Sequence, residues 1–285
     1  MIVDCHVNVY EDRHLTPVHG QQVASRSGGF DPKADPDAVY QAMSGVDKAI
    51  IFTLRYGDSA GVDGDDEVTA RAVAKYPDKF VGFAAVDPRR PDAMELLRHA
   101  VEDLGLRGVK FGPIYNGVHL ADPRMVPIYE YCVKHDLPLT MHMGTTYARN
   151  APLEMGRPIH VDEVARRYPD LKMIMAHMGH PWGEECIVVA RKHPNVFCEV
   201  SALFYRPWQF YNTLVAAQEY NIANRDKIFW GTDFPYAGVE ESLEGLRNIN
   251  HLVEGTRLPR VTQETIEGII HSNPFAHWWH GKAPA

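Results

Sequence analysis

The sequence is poor in cysteine and has none in a paired motif. Its four cysteines, Cys5, Cys132, Cys186 and Cys198, form no Cys-x-x-Cys pair. That excludes a zinc ribbon or a disulfide scaffold and predicts free thiols in a reduced, cytoplasmic setting. No segment approaches the ~18 apolar residues of a membrane-spanning helix. Met1-Ile2-Val3 leads directly into Asp4, without the basic start and long apolar run of a secretion signal. Positive charge is also in deficit: 29 Lys and Arg against 37 Asp and Glu leave a net charge of −8. Such a surface argues against nucleic acid or an anionic membrane as partner and leaves a small-molecule substrate as the expected one. No Gly-x-Gly-x-x-Gly follows the first apolar run, against a dinucleotide-binding sheet. No repeat, low-complexity tract or linker interrupts the chain, so a single domain over 1–285 is expected.

What is present is an alternation of two patterns. Short apolar, β-branched runs predict strands over 2–6, 49–54, 80–86, 108–111, 138–142, 172–176, 196–200 and 228–231. Between and after them, amphipathic stretches predict helices over 65–76, 91–104, 123–135, 161–168, 184–193, 208–220 and 240–252. The strands are continuously apolar rather than alternating, as in a parallel sheet covered on both faces. With 45% hydrophobic and 23% charged residues over 285 positions, the expected fold is α/β, a (β/α)8 TIM barrel. The polar segment 9–35 is a candidate lid, because long loops in compact domains usually serve function. Residues 272–285 form a C-terminal extension whose tandem Trp278-Trp279 docks on the barrel or on a neighbour.

Four segments carry acidic or imidazole groups at predicted C-terminal strand ends. They are Asp4-Cys5-His6-Val7-Asn8, Met141-His142-Met143-Gly144, Ala176-His177-Met178-Gly179-His180 and Gly231-Thr232-Asp233-Phe234-Pro235. In a barrel these ends face one mouth, so His6, His142, His177 and Asp233 should converge. Imidazoles with a carboxylate suit zinc or a similar divalent ion. Such an ion activates water, and a neighbouring carboxylate can move its proton. The glycines after His142 and His177 would let a ligand approach the backbone.

These segments, with Gly108-Val109-Lys110 and the closing Asn273-Pro274, resemble the amidohydrolase superfamily over essentially the whole chain. The similarity is to its amidohydrolase-related branch. That branch includes decarboxylases of the amino-carboxymuconate-semialdehyde and γ-resorcylate type and a metal-independent lactonase. The resemblance implies one divalent metal, zinc or alternatively manganese, on His6, Asn8, His142 and Asp233. It makes His177 the catalytic imidazole and Asp233 the proton shuttle, and it suggests a homodimer. Where the family pattern is His-x-His, this chain has His6-Val7-Asn8. An amide is a weaker zinc ligand than imidazole. Asn8 therefore stands open between a ligand and a hydrogen-bonding neighbour, and a metal-free form stays in view.

Around the mouth, Arg55, Tyr115, His180, Tyr205, Arg206 and Trp208 are substrate-contact candidates. An aromatic wall with one guanidinium suits an aromatic or unsaturated carboxylate. Lys110 reads either as a buried charge paired with a carboxylate or as a carboxylated lysine bridging two metals. Glu199 reads as a second acid or as the partner of Lys110. Cys198 lacks a neighbouring base and is not expected to be a nucleophile. The leading expectation is a metal-dependent hydrolase of a small carboxylated or cyclic substrate, with an amide or lactone bond. The alternatives are a non-oxidative decarboxylase of an aromatic or muconate-type acid and a barrel that binds a ligand without turnover.

Overall fold

The computed structural model describes residues 1–20, 33–223 and 226–279. Eight strands form one sheet: β1 (Val3–Asn8), β2 (Lys48–Phe52), β3 (Phe80–Val86), β4 (Val109–Phe111), β5 (Leu139–Met141), β6 (Met173–Met175), β7 (Val196–Glu199) and β8 (Ile228–Phe229). Their spatial order is their chain order, and each strand from β1 to β7 pairs in parallel with the next. The chain after β8 returns to β1: Cys5 N donates to Trp230 O at 3.0 Å, Asp233 N to His6 O at 2.9 Å and Asn8 N to Phe234 O at 2.8 Å. These bonds close the ring, so the α/β barrel expected from the alternating pattern is the architecture found.

Helices among the described residues include α1 (Pro36–Ala42), α2 (Asp66–Lys75), α3 (Ala93–Arg98), α4 (Pro113–Asn116), α5 (Val126–Lys134), α6 (His160–Arg167), α7 (Gly183–Lys192), α8 (Pro207–Glu219), α9 (Val239–Arg247), α10 (Gln263–Ile270) and α11 (Pro274–Trp278). Their starts follow local chemistry. Asp35 caps α1 by accepting from Asp37 N and Ala38 N with Pro36 behind it, and Asp65 caps α2 through Val68 N. The helix expected over 91–104 divides into α3 and a π-helical turn, His99–Asp103. The one expected over 240–252 ends at Arg247 and continues as the 3-10 segment Ile249–Val253. The helices α1, α4, α10 and α11 fall outside the helix spans given above. The first two are too short to show a clear apolar period.

Of the candidate lid 9–35, residues 21–32 lie outside the described residues, as do 280–285 of the C-terminal extension. The described part of the extension docks on its own barrel. Trp278, 1% exposed, meets Phe229 edge-on at 5.5 Å and Phe83 at 6.1 Å. All four cysteines are free and buried. Among the described residues no helix is long and apolar enough to cross a membrane.

Candidate active site

The mouth of the barrel is built on unusual backbone. His177 (φ 56°), Met178 (φ 45°), Ala202 (φ 58°) and Asp233 (φ 69°) are non-glycine residues in the left-handed region. Such conformations cost about 1–3 kcal/mol each and persist where surrounding contacts hold them, commonly at active sites. Here the holding contacts are visible. His177 N donates to Glu199 Oε1 at 3.1 Å, and Asp233 is fixed by its N–H to His6 O and by Tyr236 N to its own carbonyl, both 2.9 Å. The glycines next to the histidines serve the protein rather than a ligand. A Cβ on Gly144 would lie 2.3 Å from His180 O, and one on Gly179 2.1 Å from the Pro158 ring.

Glu199, at the end of β7 and 0% exposed, organises the interior. Its Oε1 accepts from His6 Nδ1 at 2.8 Å, from His177 N and from Ser201 Oγ at 2.9 Å, while Oε2 accepts from Ser201 N at 2.5 Å. The His6 proton is therefore assigned to Nδ1, and Nε2 carries the lone pair. That lone pair faces the Lys110 ammonium, with Nζ at 3.1 Å, and Asp233 Oδ1 lies 3.4 Å from the same nitrogen. Ser201 Oγ also meets His177 Nδ1 at 2.8 Å, and Ser201 O lies 3.1 Å from it. His177 Nε2 in turn lies 3.1 Å from His142 Nδ1. The three imidazoles form a connected row leading from Glu199 to the cavity.

Burial decides the charge state of this row. It pushes His6 and His177 well below the usual imidazole range and His142 down to about 3, with the Lys110 charge adding to the effect at each. All three are neutral at neutral pH. Lys110 is pulled down to about 8 by burial, against the Asp233 and Glu199 charges that hold it up, so it remains cationic. Beneath β1, Asp4 accepts from His6 N, Thr232 N and Thr232 Oγ1, and burial raises it to about 7.

By distance, the described residues offer one cluster of ligand atoms within 4.8 Å of one another: His6, His177 and Glu199. The four donors already on Glu199 make this trio chiefly a hydrogen-bonded network. Further candidate ligand atoms are His6 Nε2, His142 Nε2 and the Asp233 carboxylate oxygens. His142 Nε2 has only a 3.3 Å approach to Thr145 O. The 3.4 Å between His6 Nε2 and Asp233 Oδ1 is close to the spacing of two ligands about 2.0–2.1 Å from one tetrahedral ion. The residue types suit a divalent ion, and so does the spacing of this one pair, while His142 does not complete a cluster within 4.8 Å with both. Asn8 is turned otherwise. Its Nδ2 donates to Asp233 Oδ1 at 3.1 Å and to Phe234 O at 2.8 Å, the posture of a residue that orients Asp233.

Above the row lies a cavity of about 460 Å³. His142, His177 and Asp233 reach it from below. Tyr115, Tyr147, Tyr205 and Tyr236 wall it, and His180 and Arg206 border it. Of the expected substrate contacts, Tyr115, His180, Tyr205 and Arg206 are brought together there. Arg55 is not: it is buried in a pair with Asp66 (3.0 Å) and bonds Ala85 O at 3.0 Å, so it braces the sheet instead. Nor is Trp208, which stands 52% exposed at the start of α8, outside the lining. Lys110 is buried, with Nζ 3.1 Å from His6 Nε2 and with Asp233 and Glu199 as the nearby opposite charges. Cys198 lies buried with Sγ against Lys227 O at 3.5 Å. Sequence reasoning missed Ser201, Asp4, Tyr147 and Tyr236. Ser201 had a usable signal: two residues beyond Glu199 on an extended run, it points to the same side.

With this geometry in hand, the chain can be set beside known proteins. The family model for amidohydrolases matches residues 3–277, and the chain belongs to that family. It is 25% identical over 197 residues to 2-amino-3-carboxymuconate-6-semialdehyde decarboxylase of Dictyostelium discoideum, covering 59% of this chain and 54% of that one. It is 25% identical over 168 residues to γ-resorcylate decarboxylase of Rhodococcus jostii (strain RHA1), covering 47% and 49%. The chain thus spans about half the length of the curated relatives it matches. Among solved structures, an uncharacterised TIM-barrel protein from Bordetella bronchiseptica superposes with a TM-score of 0.69 at 21% identity, over 95% of this chain and 96% of that one. That last likeness concerns the fold alone.

Proposed function

We propose that the chain is a non-oxidative decarboxylase of an aromatic or muconate-type acid. The family match supports a hydrolase or carboxy-lyase in general. Both curated relatives reported above are decarboxylases by name, which favours this reading over hydrolysis of an amide or lactone. The observation that carries it is the composition of the cavity. A row of neutral imidazoles and the Asp233 carboxylate meet an aromatic wall with one guanidinium, Arg206, among the described lining residues. An aromatic-walled slot with a single cation at its rim suits a flat, unsaturated carboxylate.

In the reaction, Arg206 and the tyrosines orient the substrate over His177 and Asp233. A proton carried on Asp233 passes to the carbon bearing the carboxylate. The bond from that carbon to the carboxylate then breaks, its electron pair restores the unsaturated system, and CO₂ leaves; Asp233 is reprotonated from water. His177, held through Ser201 at Nδ1 and beside His142 Nδ1 at Nε2, borders the cavity and keeps His142 oriented toward the polar end of the substrate. Where a divalent ion is bound, zinc or manganese by donor chemistry, His6, His142 and Asp233 would hold it, and it would supply positive charge for the substrate's oxygen functions.

The test is CO₂ release from a panel of hydroxybenzoates and muconate-type acids, run beside lactones and amides. Asp233→Asn and His177→Asn (asparagine tolerates the left-handed backbone) should lower the rate about 10²- to 10⁴-fold with the far-UV spectrum unchanged. Hydrolysis without CO₂ would turn the assignment to the hydrolase reading. Near-normal turnover in both variants would remove these residues from the chemistry.

A further inference from the structure

The contact between Lys110 and His6 has a consequence for metal binding. Lys110 sits in β4 in register with Ala85 and Thr140, so its backbone is fixed by neighbouring strands on both sides. Its side chain is 1% exposed and its Nζ lies 4.5 Å from the centre of the Phe52 ring, a cation–π contact. Its terminal nitrogen lies 3.1 Å from His6 Nε2, the nitrogen whose lone pair is left after Nδ1 binds Glu199. Asp233 Oδ1 converges on the same nitrogen at 3.4 Å. A divalent ion held by His6 and Asp233 would need this space and this lone pair. We propose that Lys110 is an internal cation that competes with the divalent ion for His6 Nε2, so that the site is filled either by its own ammonium or by metal.

Two features support the competition. A dication placed beside an undisplaced ammonium would be strongly repelled in this buried setting. Asn8 acts in the same direction from the other side. Its Nδ2 donates to Asp233 Oδ1 at 3.1 Å, where a ligand position needs an electron pair. The inference rests on these contacts and not on which bond the enzyme cleaves, so it can fail while the decarboxylase reading stands, and the reverse.

The experiment is calorimetric titration of the full-length, metal-stripped protein with ZnCl₂, together with elemental analysis after dialysis. The wild type is compared with Lys110→Met, Lys110→Gln and Asn8→His, each checked for fold by circular dichroism. Removal of the ammonium should tighten zinc binding at least tenfold in both Lys110 variants. Asn8→His should tighten it further when combined with Lys110→Met. Zinc affinity unchanged by both Lys110 substitutions would overturn the proposal. Weaker binding in them would also overturn it, because Lys110 would then assist the ion. Should neither Lys110 variant fold, zinc titration of the wild type with ¹⁵N-labelled histidine rings carries the same test. Expected is a zinc-dependent change at His6 Nε2 that needs excess metal. A stoichiometric change at the first equivalent, or none at His6, overturns it.

Discussion

Two groups of side chains share the barrel mouth and are held in different ways. The inner group, His6, Lys110, Glu199 and Ser201, rises from β1, β4 and the end of β7 and is almost fully buried. Nearly every polar atom in it meets another at hydrogen-bond distance, and Glu199 alone accepts four donors. The outer group, Tyr147, His180, Tyr205 and Arg206, stands on loops. Arg206 reaches only Ala202 O at 3.4 Å and the Tyr205 ring at 4.6 Å. Groups fixed before substrate arrives can lower a barrier, since no reorganisation is left for the moment of reaction. Groups on loops, with room to move, act mainly through binding. The inner group should therefore govern kcat and stability together, and the outer group KM.

The sharpest way to break this division is Glu199→Gln. The amide keeps the shape but turns one acceptor into a donor that faces N–H groups. A buried donor left without a partner costs about 1–3 kcal/mol, so the unfolding free energy should fall by about that amount. The rate should fall about 10- to 100-fold, because a neutral amide oxygen orients His6 and His177 less strongly than the carboxylate does. Denaturant unfolding and steady-state kinetics on one preparation check both. Loss of stability with unchanged kcat would show that the inner network holds the fold without serving the chemistry.

How much of this could be read from residues alone differs between the two groups. The strand-end positions of His6, His142, His177 and Asp233 were legible because parallel strands are continuous apolar runs, and a run that stops at a histidine or an aspartate marks its own end. The eight-strand order followed from alternation with helices in every interval but the first, where the helix Pro36–Ala42 was not read. The contacts that define the inner group were not legible. Lys110 meets His6 across 104 positions and Glu199 meets His6 across 193, and both contacts exist only once the ring closes. Arg55 shows the opposite error. Its expected role at the mouth gives way to a pair with Asp66 only 11 positions on, set by how α2 folds back on β2. Trp208 was assigned to the wall because aromatics cluster after β7, but the helix α8 begins at Pro207 and carries it outward.

A second test uses pH and concerns Asp4, which supports the inner group from beneath through His6 N. Burial holds the Asp4 carboxyl at about 7 against an ordinary 3.8. Its contribution to stability is therefore complete below about pH 4 and is lost as the pH rises through 7. From pH 5 to pH 8 that loss is on the order of 2–3 kcal/mol, at 1.36 kcal/mol per pH unit. Asp4→Asn cannot ionise. The difference in unfolding free energy between variant and wild type should thus shift by that amount in favour of the variant over the same interval. Urea unfolding at the two pH values measures it. A difference that does not change with pH would mean Asp4 stays ionised throughout and that its three donors outweigh burial.

The smallest effects belong to the outer group, and there the comparison can be made within a few residues. Arg206→Gln removes the cation at the rim of the cavity. A hydrogen bond to a charged group is worth about 1.5–3 kcal/mol, so KM for a carboxylate substrate should rise roughly 10- to 100-fold with kcat changed little. Trp208→Ala, two residues further along, removes a larger side chain that is 52% exposed and outside the cavity lining. It should leave KM within about twofold, and stability within about 0.5 kcal/mol as for an ordinary surface position. The pair separates position from composition. If Trp208→Ala raised KM as far as Arg206→Gln does, the wall would extend past Pro207 in the working enzyme. The start of α8 would then move over the bound substrate, and the outer group would be larger than the cavity defines it.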